Sequence, residues 1–185
     1  MIRIITISFF LFIGICKTTA QDVFSISEAE AKSASKKMLF KANPNTSNYD
    51  ITYHKLEFSV DPAVASISGK VTTTFTALQN MNAVTFDLDD NMNVTAVSEN
   101  GNSLTYSQST TDELIISLQN SLNQGNSTSI IIEYNGNPTS NGFGSFEVNT
   151  HNGTPILWTL SEPYGALGWW PCKQDLNDKI DAIDV

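Results

Sequence analysis

The chain has 185 residues, with ten Lys or Arg against nineteen Asp or Glu and a formal net charge of −9. Arg3 is its single arginine and no Lys or Arg stands between Lys70 and Lys173, which excludes a nucleic acid or an anionic membrane surface as partner. With 41% hydrophobic residues it can bury one sizeable core, and its length suits one domain rather than two.

Residues 1–20 read as an export signal. Arg3 supplies a positive start, residues 4–16 form an apolar run too short to span a bilayer, and small residues lead to Ala20. Cleavage after Ala20 is expected, giving a protein destined for the periplasm, the cell surface or the medium, with no transmembrane segment left. Ile15 stands before Cys16 where a lipoprotein site needs a small residue, so a lipid anchor is not read here. Losing Arg3 and Lys17 leaves eight lysines against nineteen acids, a charge of −11. Losing Cys16 leaves Cys172 alone, so no disulfide forms within the chain and stability must come from burial.

Residues 21–48 are expected to hold a short helix and a linker. Over 25–41, Ser25 or Ser27 can cap, acids follow in the first turn and lysines in the last, which suits the helix dipole. Asn43 and Pro44 then open a polar break, and the periodicity changes to two. Along the first strand, over 49–60, Ile51, Tyr53, Leu56 and Phe58 are read as buried, with a phase change near His54 and Lys55 that predicts a bulge. Further strands are predicted over 67–78, 83–88, 94–98, 104–107, 113–118, 128–134 and 156–160. Asn100-Gly101, Gln124-Gly125 and Asn152-Gly153 supply turn chemistry, and the glycine-rich run 135–146 reads as an exposed loop. Eight short strands joined by hairpin-length links predict a mostly β, antiparallel, sandwich-like or saddle-shaped domain over 49–185.

The two histidines, His54 and His151, are too far apart in sequence to put two imidazoles on one helical face, so no zinc ligand set is read in this chain. His54 is expected at a surface or strand edge and His151 in a solvated turn. Residues 87–91, Asp-Leu-Asp-Asp-Asn, resemble a calcium loop only superficially, because Met92 stands where its glycine belongs. They read as a strand end with exposed acids.

The stretch Ser161-Glu162-Pro163-Tyr164-Gly165-Ala166-Leu167-Gly168-Trp169-Trp170-Pro171-Cys172 is different. Glu162 follows an apolar strand and precedes a proline, so its carboxylate sits where the backbone is restricted and needs a cation or several donors. From the residues alone the choice stays open between an aromatic plug with Glu162 at the surface and a recognition site. Two adjacent indoles could also serve a free-standing exported sandwich that binds carbohydrate or protein.

Here the chain resembles the aminopeptidase N family of zinc metallopeptidases, whose signature runs Gln-x-Glu-Pro-x-x-Ala-Arg-x-x-Phe-Pro-Cys-x-Asp-Glu-Pro-x-x-Lys. Glu162, Pro163, Ala166, Pro171, Cys172 and Lys179 match without a gap, and Trp170 takes the aromatic position. Leu160 replaces the glutamine, Leu167 the arginine, and Gln174-Asp175-Leu176 the Asp-Glu-Pro. Tyr49-Asp50-Ile51 and Gly69-Lys70-Val71 are similar to the family's opening strands. The resemblance implies the N-terminal domain of a secreted zinc aminopeptidase, cut before its thermolysin-like catalytic domain. It implies that Glu162 binds the free N-terminal amine of a peptide substrate, with catalytic residues and zinc in the absent domain and no cofactor here. Pro163, Ala166, Trp169, Trp170, Pro171, Cys172 and Lys179 are then structural, holding the turn and facing the next domain.

Overall fold

The computed structural model describes residues 31, 40–139, 145–161 and 164–185. The export signal expected at 1–20 lies outside the described residues, as does the helix expected over 25–41 apart from Ala31, Phe40 and Lys41. Chain order then runs through a 3-10 turn, Pro44–Thr46, capped by the Asn43 side chain accepting from the Asn45 amide.

Among the described residues eleven strands follow: β1 Tyr49–Asp61, β2 Val64–Ala77, β3 Met81–Asp87, β4 Met92–Glu99, β5 Asn102–Ser103, β6 Tyr106–Gln108, β7 Glu113–Leu122, β8 Ser127–Gly136, β9 Phe146–His151, β10 Thr154–Thr159 and β11 Ala182–Asp184. They form a six-stranded sheet in the order β11-β1-β2-β8-β4-β5, a three-stranded sheet β3-β7-β6 and a two-stranded sheet β10-β9. Every pair is antiparallel except β1 with β11, which is parallel. The fold is thus the mostly β, antiparallel class that the alternation predicts.

Period-two burial gives each larger sheet one apolar face, and the two faces share a core. Ile67, Val71 and Phe75 of β2 and Ile130 and Ile132 of β8 meet Val84 and Phe86 of β3 and Leu114 and Ile116 of β7. Tyr49 joins the sheets: its ring packs edge-on to Phe75 at 5.3 Å and near Phe86 at 5.7 Å, and its hydroxyl donates to the Thr85 carbonyl at 2.7 Å. Asn100-Gly101 and Asn152-Gly153 take the positive φ pairs of 50° and 81° that a two-residue hairpin requires.

The predicted bulge exists but lies earlier. The β1–β2 register shifts between Ile51 and Tyr53, so Thr52 is the extra residue, and beyond it the inward positions become His54, Leu56 and Phe58. Tyr53 therefore points outward, where its hydroxyl donates to Asp184 at 2.8 Å, and His54 is fully buried rather than at an edge. Of the strand expected over 104–107, only 106–107 are in a strand, β6, while Leu104 and Thr105 link it to β5. The run 135–146 is not a loop at its ends: 135–136 belong to β8, while Ser145 and Phe146 are buried and Phe146 opens β9, a strand the glycines conceal.

Candidate functional site

The two-stranded sheet delivers the chain into the motif. β10 ends at Thr159, and the Leu160 amide continues its ladder by donating to the Ser145 carbonyl at 3.2 Å. Glu162 and Pro163 lie outside the described residues, but both flanks of the turn are held. Ser161 accepts from the Gly165 amide at 2.8 Å through its carbonyl and from the Trp169 indole at 2.8 Å through its hydroxyl. The buried Ser145 hydroxyl donates to the Gly165 carbonyl, and Tyr164 stacks on Phe40 with ring centroids 3.5 Å apart. Residues 161 and 164–165 are therefore pinned to three other parts of the chain.

After a 3-10 turn, Ala166–Gly168, the motif sinks into the core. Trp170 is only 7% exposed and sets its face or edge against His54 at 5.2 Å and 89°, while the half-buried Trp169 packs on Phe58, Phe146 and Trp170. The Trp169 carbonyl accepts from the Tyr134 hydroxyl at 2.7 Å. Gly69 makes this possible, since a Cβ there would lie 2.4 Å from the Tyr134 ring. The matched Gly69 of β2 and the motif are thus coupled through one tyrosine.

Pro171 and Cys172 are buried, and Cys172 forms an isolated antiparallel bridge to Asp87, with backbone bonds of 2.8 and 3.0 Å. Asp87 is consequently not an exposed acid as its sequence suggests. Its carboxylate accepts from the Gln174 amide at 2.8 Å and from Asn43 at 3.1 Å, while burial pushes its pKa up. Lys173 donates to the Tyr49 carbonyl at 2.6 Å and pairs with Asp178, and Ala166 packs against the core whereas Lys179 is exposed. Trp169 and Trp170 belong to this domain's own interior. The expectation that they face a neighbouring domain, or form an open platform for a sugar, is corrected by that packing.

Sequence reasoning also missed Tyr134, Ser145 and the Phe40–Tyr164 stack, none of which carries a local signal. His54 is held by Thr73, whose hydroxyl lies 2.9 Å from Nδ1, and burial lowers its pKa from 6.5 to about 4. An unfolded imidazole protonates near 6.5 and the folded one only near 4, so this contribution to stability is complete above pH 6.5. It is lost as pH falls toward 4, by about 3 kcal/mol in all. Buried Asp87 titrates in the opposite sense, so the comparison is made by urea titration of the parent and His54→Gln from pH 7.5 to 4. The parent is expected to lose stability more steeply; parallel curves would contradict the burial of His54.

Burial first, and the Asp87 carboxylate second, push the Cys172 thiol well above its ordinary pKa. In the chain that begins at Gln21, whose one thiol is Cys172, the native protein is therefore expected to react with a thiol reagent at pH 8 about a hundredfold more slowly than the urea-unfolded form. Comparable rates would place Cys172 at the surface.

Among the described residues, no set of side chains suits zinc. His54 is packed against Trp170 and His151 is exposed on the β9–β10 hairpin. Among the described residues the one group of three metal-capable side chains, Asp89, Asp90 and Asp112, holds neither imidazole nor thiolate. Asp89 and Asp112 already accept from Asn91, Thr139 and the Asp90 amide. An open cleft of about 390 Å³ beside them, lined by Phe40, Asn43, Asp87 and Glu113, is likewise crossed by Asn43, which donates to both acids.

A family model described as the peptidase M1 N-terminal domain matches residues 45–175. Among solved structures, an M1 zinc metallopeptidase from Deinococcus radiodurans is 23% identical with a TM-score of 0.60, covering 70% of this chain and 30% of that one. A mutant of the enzyme from the same organism, bound to a Tyr-Ser-Ala substrate, is 24% identical with a TM-score of 0.60, covering 69% and 29%. A mutant two-domain M1 zinc metallopeptidase bound to L-tryptophan gives 23%, 0.63, 70% and 30%. No curated protein matches. The chain thus spans less than a third of the length of these structures.

Proposed function

This chain belongs to the peptidase M1 N-terminal domain family, and from that premise we propose that it is the substrate-recognition and scaffolding domain of an exported zinc aminopeptidase that removes N-terminal residues from peptides. Glu162 takes the free α-ammonium group of the substrate, and a catalytic domain on the same polypeptide carries the zinc. The supporting observation is the anchorage of the turn at its flanks: Ser161 and Gly165 are bonded to each other, to Trp169 and to Ser145. Flanks fixed in this way reduce the chain entropy lost when a carboxylate between them meets a cation.

A carboxylate in a partly dry cleft discriminates by charge. A free ammonium pairs with it, whereas an acetylated terminus removes the cation and leaves the acid desolvated and unpaired, which costs several kcal/mol. The polypeptide joining this domain to its catalytic domain is therefore expected to cleave a free-amine dipeptide at least about a hundredfold more efficiently than its N-acetyl form. Equal cleavage of both would overturn the proposal. The binding-module alternative loses its platform, because Trp170 is buried and Trp169 is enclosed by Phe58 and Phe146.

A further inference from the structure

We infer that Ile156, Trp158 and Leu160 form the surface on which the catalytic domain of the same polypeptide seats, an inference that rests on the function proposed above. Alternation along β10 divides its side chains between two faces. Leu157 and its cross-strand partner Val148 pack on the core, whereas Ile156 pairs with Asn149 and Trp158 with Glu147 on the other face. That face is apolar where a solvated strand would be polar: Ile156 is 38% exposed, Trp158 44% and Leu160 39%.

Three large apolar side chains in consecutive outward positions make a contiguous patch, and Asn149 and His151 beside them give it a polar margin, the composition of an interface core and rim. Trp158 is the natural anchor. Among the described residues, β9 and β10 pair only with each other, so the hairpin presents its patch apart from the larger sheets.

The occupant follows from length and position. This chain covers 29% or 30% of the solved M1 structures it matches, one of them described as having two domains, so a second domain of greater length belongs beside this one. The patch runs directly into the turn that carries Glu162. A carboxylate that acts on a substrate held by the second domain must lie at the junction, and the strand leading to it is the strand with the apolar face. A second copy of this chain would cover the patch without bringing Glu162 to any catalytic group.

Hydroxyl-radical footprinting read by mass spectrometry tests this on the 185-residue chain and on the polypeptide that includes the catalytic domain. Oxidation of Trp158 is expected to fall by about fivefold or more in the longer polypeptide, as for a dry interface core, while that of Trp170 stays the same. Trp158→Glu in the longer polypeptide should restore labelling at Ile156 and Leu160. Equal labelling of Trp158 in both forms overturns the inference, as does protection in the short chain that grows with its concentration, which would identify a self-association surface. Unprotected Trp158 with free-amine selectivity intact would sink the docking surface alone. Protected Trp158 without that selectivity would sink amine recognition alone.

Discussion

Trp170→Ala is expected to destabilise the domain by about 3–5 kcal/mol, the range for deleting a large aromatic from a core. Its indole is only 7% exposed and packs edge-on to His54 of β1 and 6.3 Å from the Trp169 ring. One term opposes the loss. Among the described residues the buried Trp170 Nε1 has no hydrogen-bond partner, so removing it relieves an unsatisfied donor worth about 1–3 kcal/mol, which favours the lower end of the range. Trp170→Phe keeps most of the ring and removes the donor, and should cost far less than the alanine variant. Urea unfolding followed by far-UV circular dichroism measures both. A loss below about 1 kcal/mol for Trp170→Ala would mean that the indole is not a core element.

What was legible in the sequence depended on range. Alternation located the strand over 67–78, most of which lies in β2, and the Asn-Gly pairs at 100–101 and 152–153 marked tight turns, because both signals are complete within a few residues. His54 was misread as an edge residue because its burial depends on where Thr52 is extruded against β2, a property of the pairing and not of β1 alone. Asp87 looked exposed because the groups that bury it, Cys172 and Gln174, arrive from the far end of the chain. The spacing of Pro171 and Cys172 marked the motif correctly. Its aromatic pair was placed on the wrong side, since local composition cannot distinguish an indole that faces a neighbouring domain from one that faces its own. Trp158 and Leu160, read only as part of an apolar strand, proved to be the exposed members.

The second large effect concerns Glu162, and it is also the most direct test of the account. Glu162→Gln preserves size and a hydrogen-bond acceptor but removes the charge, so only the ion pair with a substrate ammonium is lost. A charge-assisted bond shielded from water is worth about 2–4 kcal/mol, equivalent to a loss of about thirty- to a thousandfold in kcat/KM. Steady-state kinetics on an aminoacyl substrate, with the polypeptide that includes the catalytic domain, reads this number, and zinc content and thermal unfolding report on integrity. The account predicts a loss within that range in Glu162→Gln with both controls unchanged. Full activity in the variant, or activity and fold lost together, would contradict it and make Glu162 a structural residue of the turn.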